Sequence, residues 1–444
     1  MPNLKKILIL LAVLFVGAAG YYFTFGSQKI TDELKAQVEL QLQTLQKNGF
    51  AIEDRKIEAK QEHFVLHYAD PVKIGRYFRS KNIDLSNEDA EALKGLKIGV
   101  DLSYLDGAYS AVSADLYPIA FPLSTLQEAT PGEKIMMEKI IEEKIFLAHI
   151  DINKLFTAFK GYLKDIDTIF ESEDPVTLVS KGFKFEGTYD EQFLTSSSNT
   201  IRQLSIATRS GIKFVLDKLE GEYEQEGKSI YDFTSKYKVG KLLFRDETNR
   251  GITLKELDFK ASGEAEKGLA SSHFKFKLKS ADINEPQGKH LFEDLTSKAS
   301  LKNISIAALD KMEQLDPDDD EGFNAAFKEF LAGGIVLKVD EFSAKKVREA
   351  DKGKMVDGFD INAVVKIDKV TNFKQLEENP FALLNIIDTT MHLEFSNELY
   401  LVLQKRPELA IAMILFTPVS KGDKMVFDIE YKDGALKING QPIL

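Results

Sequence analysis

The sequence predicts an α+β protein in which an N-terminal transmembrane helix precedes a mainly antiparallel, strand-rich, elongated body with helices on one face. Three observations predict this class. They are an uncharged apolar run near the N-terminus, many segments that alternate apolar and polar residues, and several apolar stripes at helical spacing. Alternation along a strand indicates a sheet with one covered face and one solvated face.

The apolar run covers Ile7–Phe25, with Leu11 in its first half and with Lys5 and Lys6 just before it. A helix over this run would be roughly 28 Å long, close to the thickness of a bilayer's hydrocarbon core. We expect an uncleaved membrane anchor. The alternative is a cleaved signal peptide, for which Val16–Ala18 supplies small residues at a suitable distance.

The two lysines before the run predict its orientation. Basic residues beside a membrane segment tend to stay in the cytoplasm, so we expect a cytoplasmic N-terminus. The body, from about Gln28 onward, is then periplasmic. The predicted location is therefore the inner (cytoplasmic) membrane, which the chain crosses once.

The composition excludes several classes of function. The chain has 444 residues, a formal net charge of −12 and a pI near 5.3, so nucleic acid is not an expected partner. Cysteine is absent, which excludes disulfides and thiolate metal ligands. We expect no cofactor and no metal site.

Alternating segments predict strands along most of the chain beyond Gly49. Examples are Phe64–Tyr68, Ile98–Tyr104, Leu254–Ala261 and Met391–Phe395. Glycine or charged turns separate many of them at short intervals, a spacing typical of antiparallel meanders rather than of βαβ units.

Helices are predicted where apolar residues recur at three- and four-residue spacing. The stripes lie at Leu34–Leu45, Glu133–Phe146, Asn153–Leu163 and Phe323–Leu331, and Ser396 is a predicted helix cap. Such stripes are usually core, so we assign their apolar residues to the interior.

These elements divide the sequence into four parts. Residues 1–27 form the membrane anchor, and residues 28–170 form an α+β N-terminal part of the body. Residues 171–385 form a middle part rich in β-meanders. Residues 386–444 form a strand, a helix and a hairpin that close the body.

Few motifs that carry chemistry are present. The sequence contains no HExxH, GxSxG or glycine-rich dinucleotide motif, and Gly227–Ser229 lacks the spacing of a phosphate-binding loop. Asp316–Gly322 resembles half a calcium loop, but Phe327 stands where a bidentate glutamate is needed. We predict a solvated acidic turn there and predict no catalytic residue.

The segment Leu409–Phe416 is strongly apolar and supplies the candidates for an apolar groove. These candidates are Leu409, Ile411, Ile414 and Phe416. A groove that faces water is a larger apolar patch than a monomer usually tolerates. We therefore expect a lipid acyl chain or a second copy of the chain to cover it.

The C-terminal sequence YKDGALKINGQPIL places the turn pairs Asp433–Gly434 and Asn439–Gly440 around its last short strand. With the basic start, the apolar run and GFKFEGTYDEQ at Gly182–Gln192, it resembles the YdgA-like family of bacterial envelope proteins. The resemblance is clearest at the start and over Ile386–Leu444. It implies an inner-membrane location, an exported body and self-association, and it assigns no catalytic residue.

The sequence as a whole predicts a membrane-anchored, periplasmic cell-envelope protein that binds or scaffolds and is not an enzyme. Its expected partners are the membrane, through the N-terminal helix, and a lipid or a second copy in an apolar groove. The alternative is a hydrolase that cleaves an envelope polymer with carboxylates. A continuous apolar trough favours binding, whereas two converging acids with shifted pKa values favour hydrolysis.

Overall fold

The computed structural model describes twelve stretches of the chain, which are residues 32–79, 85–105, 110–155, 157–171, 174–190, 193–227, 229–286, 288–314, 320–348, 353–370, 385–406 and 416–443. The chain divides into two compact units, Met1–Glu222 and Tyr223–Leu444. This division falls inside residues 171–385, which the sequence analysis treats as one part.

The predicted fold class is wrong as stated. The described residues form twenty-two strands and eight helices, so the part of the chain that the structure describes is a large antiparallel sheet-rich body. Within those described stretches, no helix is both long enough and apolar enough to cross a bilayer. The predicted anchor, Ile7–Phe25 with Leu11, Lys5 and Lys6, lies outside the described residues. The antiparallel sheet that the alternation predicted is confirmed.

The strands that begin in the first unit are β1 (Phe50–Ile57), β2 (Gln61–Tyr68), β3 (Lys97–Tyr104), β4 (Ser110–Ala120), β5 (Ala148–Asn153), β6 (Ala158–Leu163), β7 (Ile166–Phe170), β8 (Val176–Lys181), β9 (Lys184–Asp190), β10 (Phe193–Thr208) and β11 (Lys213–Gln225). Antiparallel pairs connect β1 to β6 in chain order, and β6 then pairs with β9. The first half of β10 pairs with β9 and its second half with β8, which also pairs with β7.

Helices of the first unit cover one face of this sheet. They are α1 (Asp32–Lys47), α2 (Pro71–Arg79), α3 (Asn87–Ala92), α4 (Leu123–Glu128) and α5 (Pro131–Glu142). Alternate strand residues such as Phe64, Val100 and Ile150 join helix residues such as Leu42 and Ile140 in one large core. Each of these five side chains is at most 2% exposed.

Side-chain caps fix where two of these helices begin. Ser86 accepts a hydrogen bond from the backbone N–H of Asp89 at the start of α3. Thr130 and Glu133 form a reciprocal capping box at the start of α5. The predicted stripe Glu133–Phe146 therefore corresponds to a helix that begins two residues earlier and ends at Glu142.

The predicted helix over Asn153–Leu163 is wrong, because Ala158–Leu163 is strand β6. Gly161 permits the close packing of this strand. A Cβ atom at this position would lie 2.3 Å from the carbonyl oxygen of His149 and 2.5 Å from the ring of Phe185. Glycine therefore lets the neighbouring strand and an aromatic ring approach β6 closely.

The second unit contains β12 (Phe233–Arg245), β13 (Gly251–Glu266), β14 (Leu269–Glu285), β15 (Gly288–Ser305), β16 (Ile335–Arg348), β17 (Val356–Ile367), β18 (Ile387–Ser396), β19 (Val419–Lys421), β20 (Lys424–Lys432), β21 (Ala435–Ile438) and β22 (Gln441–Pro442). Strands β12 to β18 pair antiparallel in chain order, and β18 pairs with β20. Strands β19 and β21 pair with opposite ends of β20, and β22 pairs with β21.

The second unit has smaller cores than the first. Its described helices are α6 (Ile306–Gln314), α7 (Asp320–Ala332) and α8 (Asn397–Leu403). The predicted cap at Ser396 is confirmed, since its side chain accepts a hydrogen bond from the backbone N–H of Leu399. Of the acidic segment Asp316–Gly322, only residues 320–322 are described, and they begin α7.

Candidate functional site

One face of the second unit's sheet carries two adjacent rows of mainly apolar side chains. Directly opposed residues of antiparallel strands lie on the same face, so the register defines each row. The first row is Tyr237, Phe259, Phe276, Ser297, Phe342, Ile361, Leu393 and Phe427. The second row is Ser235, Ala261, Phe274, Ala299, Val339, Ala363, Met391 and Ile429. We call these two rows the apolar strip.

Several large side chains of the apolar strip remain open to solvent. Phe274 is 41% exposed, Phe342 is 37% exposed and Tyr237 is 36% exposed. Most other large members, among them Phe259 and Ile361, are half-buried. These aromatic side chains are therefore not buried in a core. Partial exposure is uncommon for a contiguous group of large apolar residues.

Two helices cover the same face on either side of the apolar strip. On one side, Leu399 of α8 packs in a cluster with Phe359 and Phe395. On the other side, Leu331 of α7 packs in a cluster with Ile367. The strip between these clusters crosses eight strands, which is about 34 Å at a strand spacing of about 4.8 Å.

The groove candidates from the sequence lie elsewhere. Leu409, Ile411 and Ile414 are outside the described residues, and Phe416 is half-buried in the segment between α8 and β19. That groove stays a prediction. Sequence reasoning missed the apolar strip, although the alternation of Leu257, Phe259 and Ala261 already signals one apolar face of β13.

The opposite face of the sheet is polar and contains a depression of about 500 Å³. Its polar lining residues are Lys338, Asp340, Asn362, Thr390, His392, Asp428, Glu430 and Lys437. In it, Nδ1 of His392 lies 2.6 Å from Oδ1 of Asp428, and Nε2 lies 3.2 Å from Oε1 of Glu394. The hydrogen bond to Asp428, followed by that to Glu394, raises the pKa of His392.

Two carboxyl groups beside this histidine have pKa values that are pushed apart. Asp360 and Glu394 oppose each other across β17 and β18. Burial, reinforced by the carboxylates of Glu341 and Glu394, raises the pKa of Asp360. The ammonium group of Lys424 lowers the pKa of Glu394. Two carboxyl groups with pKa values shifted in opposite directions can act as a general acid and a general base.

The polar face of the first unit also contains a depression, of about 440 Å³, beside His149. Nδ1 of His149 lies 2.6 Å from Asp115, while Nε2 lies 3.4 Å from the hydroxyl of Ser113 and 3.5 Å from Asp151. Tyr162 stacks on the imidazole ring. Because Asp151 competes with Ser113 for Nε2, the geometry favours a polar sheet surface over a nucleophilic serine.

Comparison with known proteins assigns no family. No family model, no curated protein and no solved structure matches the chain. Within the described stretches, no group of three or more His, Asp or Glu residues is arranged to hold a metal ion. The resemblance to the YdgA-like family stays a prediction, and function must be argued from the surfaces above.

Proposed function

We propose that the protein is a non-enzymatic binding protein of the cell envelope that holds lipid acyl chains against its apolar strip. The observation that carries this proposal is the group of solvent-exposed aromatic residues Tyr237, Phe274 and Phe342 on the apolar sheet face. When an apolar ligand covers such a face, apolar surface is removed from water, and this removal favours binding.

The dimensions and polarity of the strip support an acyl chain. An acyl chain spans roughly half of the ~30 Å hydrocarbon core, so a strip of about 34 Å is long enough for one chain or two. Ser297 and Ser235 are the only polar side chains among the strip positions of β12 to β20 named by the register. Such a surface offers an apolar ligand continuous contact and offers a polar ligand few hydrogen bonds.

A second copy of the chain is the less favoured occupant. Each chain carries a formal net charge of −12, and like charges of this size oppose association of two copies. A lipid with a zwitterionic headgroup would bring no such repulsion. The envelope location rests on the uncharged residues 7–25 of the sequence and remains part of the proposal.

Photocrosslinking in cells tests this proposal on the full chain. Cells that express the protein are fed a fatty acid with a photoactivatable diazirine, irradiated, and the purified chain is mapped by peptide mass spectrometry. We expect adducts in β12 to β18. The double variant Phe274→Glu and Phe342→Glu should lower the adduct yield at least tenfold. Covering one exposed phenylalanine completely contributes about 1.5–3 kcal/mol, and a loss of about 1.4 kcal/mol already corresponds to tenfold.

The matched control is Phe323→Glu, since Phe323 is 55% exposed in the same unit but lies on α7. This variant should keep the adduct yield. Adducts confined to residues outside the strip, or a yield that the double variant leaves unchanged, would contradict the proposal. A dimeric mass of the purified chain that the double variant Phe274→Glu and Phe342→Glu reduces to that of a monomer would assign the strip to self-association instead.

A second candidate function is a carboxylate hydrolase that acts on an envelope polymer. The opposed carboxyls of Asp360 and Glu394, with pKa values shifted in opposite directions, are the observation in its favour. The strip is a larger and more continuous feature than this pair, so binding is the preferred function. A strip that takes up no lipid would make the hydrolase the leading candidate.

A further inference from the structure

The polar face of strands β12 to β15 carries a ladder of lysines. Lys236, Lys260, Lys275 and Lys298 oppose one another in sequence across the four strands. Lys238 follows Lys236 by two residues, and Lys277 follows Lys275 by two residues, so both lie on the same face in the next row. We call these six residues the lysine ladder.

The ladder concentrates positive charge in an acidic chain. The two rows that it occupies contain eight positions, of which six are lysine and one, Asp258, is acidic. Lys236, Lys238, Lys260, Lys275 and Lys277 are exposed. The whole chain has 58 basic and 70 acidic residues, so this composition departs strongly from the average.

Like charges placed directly opposite each other weaken a sheet. The Lys236–Lys260 and Lys260–Lys275 pairs are two such contacts, with a strand spacing of only about 4.8 Å. At the far end, Lys298 forms an ion pair with Glu341 of β16. Asp258 also opposes Lys238 and Lys277. The two rows still carry more lysines than carboxylates, and an external anionic partner would neutralise this excess of positive charge.

The side chains around the ladder indicate which anionic partner fits. The ladder's two rows also contain Asp258 and Thr296, and the row beside them contains Thr234, Ser262, His273 and Ser300. These twelve described positions include no arginine for bidentate phosphate contacts and no Phe, Tyr or Trp on which a nucleic-acid base could stack. Lysine ammonium groups on flexible stems suit a diffuse array of anionic headgroups.

We propose that the lysine ladder docks the second unit onto an anionic phospholipid surface. Charges more than about 10 Å apart are largely screened at physiological salt, so the acidic residues elsewhere do not cancel the local attraction. Each lysine near an anionic bilayer strengthens binding about fivefold. This inference stands apart from the apolar strip, which lies on the opposite face and would bind lipid tails regardless of headgroup charge.

Vesicle binding tests the inference on the full chain. The chain is purified into phosphatidylcholine nanodiscs, so that its apolar N-terminal run is kept in neutral lipid. Binding is then measured to vesicles of phosphatidylcholine alone and of phosphatidylcholine with phosphatidylglycerol in equal parts. We expect binding to the anionic vesicles only, with an affinity that falls as salt rises.

The test variant is Lys260→Gln with Lys275→Gln, and the control is Lys134→Gln with Lys139→Gln on α5, which changes the net charge equally. Both control lysines are exposed. The ladder variant should lose about twenty-fivefold in affinity at low salt, whereas the control should lose little. Thermal unfolding should show that the ladder variant is at least as stable as the wild type, because repulsion is removed.

Three outcomes would overturn the inference. The ladder variant could bind anionic vesicles as tightly as the control variant, or the wild type could bind neutral and anionic vesicles equally. Binding of single-stranded oligonucleotides with the same dependence on Lys260 and Lys275 would assign the ladder to nucleic acid instead. None of these results depends on whether the apolar strip holds an acyl chain.

Discussion

The two units use the same kind of sheet in different ways. In the first unit, helices α1, α2 and α5 contribute residues to one continuous core over the apolar sheet face. In the second unit, α7 and α8 contribute to two small clusters, and aromatic residues between them stay partly exposed. Alternation of apolar and polar residues therefore predicts an apolar face. Among the described residues, the extent to which helices cover that face distinguishes the core of the first unit from the exposed strip of the second.

The largest expected effect comes from a matched pair of phenylalanines, one on each apolar face. Phe64 of β2 is fully buried, whereas Phe274 of β14 is 41% exposed. Phe64→Ala should lower the free energy of unfolding of the first unit by about 3–5 kcal/mol, because it leaves a cavity in a closed core. Phe274→Ala should change stability by less than about 1 kcal/mol.

Both changes are measured by urea unfolding. Unfolding of each unit is monitored separately through the hydrogen-exchange protection of its peptides. Separate peptides are needed because a chain of two units need not unfold in one step. A loss at Phe274→Ala as large as that at Phe64→Ala would show that the strip is core. The contrast between the two sheet faces would then disappear.

A smaller effect is expected from an ion pair of the first unit whose carboxylate is buried. Nε of Arg55 lies 2.7 Å from Oε1 of Glu62, which is only 3% exposed, and the hydroxyl of Tyr104 donates to Oε2 of the same carboxylate. Arg55→Met should cost about 2–4 kcal/mol, since it leaves Glu62 without its cationic partner.

The control for this change is Arg202→Met. Arg202 is 68% exposed and lies 3.5 Å from Asp165, so its loss should cost less than about 1 kcal/mol. Both variants are compared by the urea midpoint of first-unit peptides at neutral pH. Equal midpoints for the two variants would show that burial of Glu62 does not matter to this unit.

The smallest expected effect is a pH dependence of the second unit. The hydrogen bonds to Asp428 and Glu394 raise the pKa of His392 above its ordinary value near 6.5. The resulting stabilisation is complete below that ordinary value and is lost as the pH rises through the raised, folded-state pKa. Because His392 is 33% exposed, solvent screening limits the effect to below about 1 kcal/mol.

His392→Gln should remove this pH dependence from the unfolding of β18 and β20. His273→Gln, on the same polar face, should retain it. The measurement is the urea midpoint of peptides from these strands between mildly acidic and mildly alkaline pH. A wild-type midpoint that rises with pH over this interval would contradict the assignment to His392.

Local pattern predicted many of the elements but not the surfaces. The alternation at Leu254–Ala261 lies within β13, and Ser396 caps a helix as predicted. The ladder could not be predicted, because Lys236, Lys260 and Lys275 are 24 and 15 residues apart and meet only through the register of three strands. Turn lengths set that register, and alternation alone does not report them.

The same limit applies to the apolar strip and to the helix that was predicted in error. In β16 the register shifts between Val339 and Phe342, so a bulge decides that both side chains lie on the strip. At Asn153–Leu163 the helical spacing of apolar residues was genuine, but pairing of β6 with β5 and β9 prevailed. In both places, distant strands determine what a local pattern becomes.

The order of strands in the second unit has a consequence for how the chain acquires its structure. From β12 to β18 each strand pairs with the next one synthesised, and β13 meets β14 through the two-residue turn Lys267–Gly268, in which both residues have positive φ. Contacts that are close in sequence form quickly. The sheet can therefore grow one strand at a time from this hairpin as the polypeptide emerges, without waiting for the C-terminal residues.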